Sequence, residues 1–188
     1  RSNTAQVTHG TVIVVQALAR DRCHLDLGAK VMKRLLTAVA AVALFASMGA
    51  TSAYAQNRTV VNQSGYSNAA GAVQTGNRNG AVTNQRGARN YARGVQEGYN
   101  NFLRMDQYGT RNHSTTTQVG ADNFAATGQE GRNLSSNIIQ TGRGNVAGVA
   151  QIGDGSRAVT DQDGRNNTSG IIQIGNGQDV EVRQRGGG

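Results

Sequence analysis

The chain has 188 residues and a formal net charge of +8, with 26 glycines, one cysteine and no proline or tryptophan. A single cysteine excludes a disulfide framework and a cysteine-built zinc site. Aromatic residues make up only 4% of it, so by composition alone it resembles a disordered or prion-like tract rather than a globule with an apolar core.

Taken in chain order, residues 1–31 precede a plausible initiator, Met32, although the chain opens on Arg1. They read as an upstream segment, over-translated or unstructured, and they contain Cys23 and two of the three histidines, His9 and His24. Residues 32–55 have the layout of a secretory signal peptide: basic Met32-Lys33-Arg34, an apolar run from Leu35 to Met48, and a small-x-small cleavage site at Ala53-Tyr54-Ala55. The apolar run is too short and wrongly flanked for a membrane anchor. The expected mature chain starts at Gln56, carries no transmembrane anchor and is exported. It has 13 Arg, no Lys and 9 acidic residues, a net +4, with His113 as its one histidine. Residues 56–62 form a short N-terminal segment, and 63–188 are the repeat domain.

That domain repeats every eleven residues without insertion or deletion. The marker is a glutamine, at Gln63, Gln74, Gln85, Gln96, Gln107, Gln118, Gln129, Gln140, Gln151, Gln162, Gln173 and Gln184. Two places on stands a glycine, expected in a turn: Gly65, Gly76, Gly87, Gly98, Gly109, Gly120, Gly131, Gly142, Gly153, Gly164, Gly175 and Gly186. Loops of a globular domain tolerate insertions, so an unbroken register means that copies stack on one another. A hendecad also suits a right-handed coiled coil. Twelve interior glycines at about 1 kcal/mol each oppose that reading, and no leucine seam offsets them.

The strand reading succeeds on alternation. Counting each Gln as zero, position seven holds Ala, Leu, Ser or Val and position nine holds small or β-branched residues, Gly94 or Met105, and neither column carries a charge. Positions eight, ten and one carry the charges, among them Arg93, Arg104, Asp106, Glu130, Asp161 and Arg183. One face is therefore neutral and small and the other polar, as a half-buried strand requires. Asn stands at position five in eight copies, as Asn68, Asn79, Asn90, Asn101, Asn112, Asn123, Asn145 and Asn167; Gly and Asn tolerate positive φ and supply turn chemistry. The fold class is all-β: a two-strand-per-coil β-solenoid of cross-β type, with strands of roughly six residues and coils of 22. Stacked about 4.8 Å apart, its coils make a rod of roughly 27–29 Å.

Small side chains bury little apolar surface, so ladders must supply the cohesion. A Gln in one place on successive coils passes amide hydrogen bonds along the axis, and the Asn column is expected to do likewise. Each satisfied bond nets about 1 kcal/mol. The 22-residue spacing sets Asp161 over Arg183, Asp163 over Arg185 and Arg132 over Asp154, but also Arg89 over Arg111 and Arg143 over Arg165.

The pattern Gln-x-Gly-x-x-Asn-x-Ala with a further Gln three residues later resembles the curlin repeat. It is complete from Gln74 to Gln85 and from Gln85 to Gln96, and the resemblance spans residues 61–186. It implies a subunit of curli, the extracellular amyloid fibres of Gram-negative biofilms, located on the cell surface. It further implies export through the periplasm and a dedicated outer-membrane secretion channel with accessory proteins, and assembly with other curlin subunits.

Both ends of such a stack expose unpaired strand edges, and no proline or amphipathic cap precedes Val60. Head-to-tail contacts that do not close generate a fibre, so templated polymerisation with itself is the expected activity. Tyr66, Tyr91, Tyr99, Phe102 and Phe124 are expected in turns beside Arg78, Arg89, Arg111, Arg132, Arg143 and Arg165, a surface suited to polysaccharide or extracellular DNA. No catalytic, cofactor-binding or metal-binding set is expected: carboxylates are scattered, and Asp161-Gln162-Asp163-Gly164 lacks the distal acid of a calcium loop. Thr115-Thr116-Thr117 occurs once, which argues against an ice-binding array. The alternative function is a monomeric secreted β-solenoid adhesin or polymer-binding module.

Overall fold

The computed structural model describes residues 57–186, together with the strand backbones of residues 2–7 and 11–17. The array itself is twelve strands: β3 (Arg58–Tyr66), β4 (Ala69–Asn77), β5 (Gly80–Ala88), β6 (Tyr91–Tyr99), β7 (Phe102–Thr110), β8 (His113–Ala121), β9 (Phe124–Arg132), β10 (Ser135–Arg143), β11 (Val146–Asp154), β12 (Arg157–Arg165), β13 (Thr168–Asn176) and β14 (Asp179–Gly186). Two short strands precede them, β1 (Ser2–Val7) and β2 (Thr11–Ala17). Among the described residues there is no helix.

Successive strands alternate between two parallel sheets. One runs β1-β14-β12-β10-β8-β6-β4 and the other β2-β13-β11-β9-β7-β5-β3. Every ladder within the array has a register of 22, so Gln140 lies beside Gln118 and Gln162, and Gln129 beside Gln107 and Gln151. The chain is a β-solenoid of about six coils, as its periodicity dictates. The strands of the array, β3 to β14, are nine residues long, except for β14, which has eight. They are longer than the expected six because pairing continues through the glycine and one residue beyond it.

The core lies between the sheets and is thin. Ala81, Ala92, Leu103, Met105, Ala125, Ile138, Ala147, Val149, Ala158, Ile171, Val180 and Val182 form one buried cluster, all from positions seven and nine. The sheets fit by exchanging volume. A Cβ on Gly94 would lie 2.8 Å from Leu103 Cδ2, so that glycine makes room for the one leucine of column seven. Burial fades at the N-terminal end, where β3 and β4 have no outer neighbour in the described array; Val61, in column nine, is 40% exposed.

The C-terminal end differs from the sequence expectation of two open edges. β1 pairs with β14 in parallel and β2 with β13, so residues expected to be extraneous or unstructured occupy the edge of both sheets. The predicted signal peptide, 32–55, lies outside the described residues.

Candidate functional site

Among the described residues no cleft organises the fold; the repeated side-chain columns are its candidate functional surface. In ten successive links, from Gln63 to Gln85 through to Gln162 to Gln184, a Gln Nε2 donates to the Oε1 of the Gln one coil further on, at 2.6–2.9 Å. The donor always points toward the higher-numbered coil. The same Nε2 also donates across the core: from Gln74 onward it reaches the carbonyl of the first residue of the preceding strand, at 2.9–3.2 Å. Gln118 Nε2, for example, reaches Phe102 O at 3.0 Å. One amide therefore binds coil to coil and sheet to sheet. From Gln85 to Gln184 every member is buried, where an unpaired amide would cost more than each bond returns.

The asparagines work differently from the expected side-chain ladder. Each of the eight donates Nδ2 to the carbonyl of the glycine 19 residues on, at 2.9–3.2 Å. Their Oδ1 atoms, Asn167's aside, accept the backbone N–H of the residue 22 further on at 3.0–3.1 Å. Direct Asn-to-Asn side-chain bonds supplement this at Asn101, Asn123 and Asn167. The column thus satisfies backbone groups freed at the corner. Sequence reasoning missed Asn57, whose Nδ2 donates to Gly76 O at 3.0 Å and whose Oδ1 accepts from Asn79 N at 3.0 Å. Its place eleven residues ahead of Asn68 was the available signal. Leu134, Ser156 and Gln178 interrupt the column, and all three are buried.

The glycines are not at the turn apex. They lie inside the assigned strands with φ of 101–140°, and the next coil comes so close that a side chain has no space. A Cβ on Gly120 would lie 1.9 Å from Gly142 O. The left-handed apex falls two residues later, at Ser67, Arg78, Arg89, Asn100, Arg111, Asp122, Asn133, Gly144, Gly155, Asn166 and Gly177.

Side chains also stack along the two edges of the rod. Tyr91 lies on His113 at 4.7 Å and Phe102 on Phe124 at 5.6 Å between ring centroids. Arg78 covers the Tyr99 ring at 5.3 Å and bonds its hydroxyl. The expected aromatic residues sit at strand ends rather than within turns. Topology sends Tyr66, Arg89, Tyr91, Arg111 and Arg132 to one edge and Arg78, Tyr99, Phe102, Phe124, Arg143 and Arg165 to the other. Arg132 pairs with Asp154 at 3.0 Å, as the coil length predicted. Arg183 instead pairs within its own strand, with Glu181 at 2.5 Å, and Arg143 reaches Asp122 at 3.1 Å.

No group of three or more metal-ligating side chains occurs among the described residues, and no helix there is long and apolar enough to cross a membrane. The arrangement is chemically a scaffold that holds amides in file. The family model described as the curlin associated repeat matches residues 76–109 and 156–186. No curated protein and no solved structure matches the chain.

Proposed function

We propose that this chain, which carries the curlin associated repeat and is a curlin-like structural protein, is the subunit of an extracellular functional amyloid fibre that supports a biofilm matrix and cell adhesion. The observation that carries the reading is the open end at β3 and β4, where Gln63 and Gln74 begin a ladder that already runs coil to coil through the molecule. A second molecule docking there continues two parallel sheets and two glutamine files with no change of register. The contact is head-to-tail and does not close. Other chains built on the same repeat would be its natural co-polymers. Signal-directed export into the periplasm and passage through an outer-membrane channel follow from the same reading.

The test is assembly of purified Gln56–Gly188. Fibres should form with thioflavin binding and X-ray reflections near 4.8 Å and about 10 Å. A polypeptide that stays monomeric for days at concentrations where related repeats assemble would instead support the second reading, a monomeric adhesin. That reading is favoured by Arg89 and Arg111, which lie one coil apart on one edge with no side-chain partner among the described residues, beside Tyr91. On a fibre, the same edge offers polyanionic polysaccharide or DNA a line of cations.

A further inference from the structure

We propose that the C-terminal edges of the two sheets are a strand-accepting site whose occupant is the chain's own residues 2–17, so that the unprocessed chain blocks one of its two polymerisation ends. The consequence rests on the fibre reading; the occupancy does not.

Both ladders of the array are extended by this segment. β1 lies beside β14 from Ser2 opposite Asp179 to Val7 opposite Gln184, and β2 beside β13 from Thr11 opposite Thr168 to Ala17 opposite Ile174. β1 places Val7, not a glutamine, opposite Gln184, whereas the register of β2 is that of the repeat. It places Gln16 opposite Gln173, in the glutamine column, and Val12 and Val14 opposite Ser169 and Ile171, in columns seven and nine. Nothing between Ser2 and Ala17 is an Asp, Glu, Lys or Arg, and Thr11 to Val15 is an unbroken run of β-branched residues. Such a run has strong strand propensity and seeks a partner edge.

The route of the segment makes it a stopper rather than another coil. In the array, each strand of the β4 sheet leads to a strand one place further along the other sheet, as β12 leads to β13 beyond β11. β1 lies one place beyond β14, yet it leads to β2, which lies only one place beyond β13. The climb of the spiral reverses, and the chain does not continue upward. The forty residues from Leu18 to Asn57 span up to about 130 Å when extended. The rod is only about 29 Å long, so a molecule can close its own end, and the tether favours its own segment over a neighbour's.

An incoming β3–β4 end would present Gln63 to Gln173 where Gln16 now stands. The two occupants compete for one set of backbone groups. Cleavage after Ala55 separates the stopper from the array and frees the edge.

The experiment compares the full 188-residue chain with Val14→Pro, which removes an N–H from the β2 ladder, and with Val14→Asp, which sets a charge in column nine. Amide deuterium uptake across residues 168–186 and the lag of polymerisation are read in parallel. Both variants should take up deuterium faster there and polymerise with a lag shortened by about tenfold, since growth follows the uncapped fraction. A peptide of residues 2–17 added to either variant should restore the lag, and a scrambled peptide should not. Equal uptake in all three chains overturns the proposal. Faster uptake with unchanged lag overturns the blocking role. If uptake rises in the variants and none of the chains forms fibres, the stopper stands and the fibre reading falls.

Discussion

At the scale of single residues, the glutamine does most to hold this fold. Gln118 donates to Gln140 Oε1 and to Phe102 O and accepts from Gln96. Gln118→Leu keeps comparable volume but orphans the Oε1 of Gln140, and should lower stability by about 3 kcal/mol in denaturant unfolding. The converse holds where a polar core side chain has no partner. Thr160 Oγ1 is buried and unbonded, and Thr160→Val should raise stability by about 1 kcal/mol in the same assay. The glutamine column was legible because twelve identical spacings admit few meanings. The asparagine chemistry was only half legible. Spacing shows that Asn recurs, but not that its amide serves the glycine carbonyl and the neighbouring backbone N–H.

At the scale of the element, alternation in columns seven and nine identified the strands and their inner face, while their length was underestimated. Glycine and asparagine both signal turns, which placed the corner too early. The glycine is required instead by the approach of the next coil, a tertiary constraint that no single repeat displays. The true apex tolerates Ser, Arg, Asn, Asp and Gly alike, so composition hides it. Arginine is poorly suited there: Arg111 sits at φ 57°, a region that Asn enters more readily. Arg111→Asn should therefore stabilise the β7–β8 corner by up to about 1 kcal/mol, read as a higher midpoint of thermal unfolding. The strands at 2–7 and 11–17 escaped sequence reading because they stand outside the period, and only the edge they cover makes their register visible.

At the scale of the whole molecule, identical coils make the interior and the ends nearly the same surface, and the ends differ chiefly in what covers them. Val61 occupies a core-facing position of β3 but is 40% exposed, and no described strand lies beyond it. Val61→Lys should leave the fold intact, since the ammonium can reach water. It should slow elongation at least tenfold, about the effect of burying an uncompensated charge at the junction. Unchanged circular dichroism with a collapsed growth rate is the expected pair of readings; unaltered growth would mean that β3 is not at the junction.

The consistent heading of the amides, every Nε2 toward the next coil, also gives the rod an electrical direction. Carboxamide dipoles in single file add as vectors, with the positive pole at the β14 end. A fibre of such rods joined in one sense is a polar filament. It should turn to align in a static field, and neighbouring filaments free to choose should lie antiparallel.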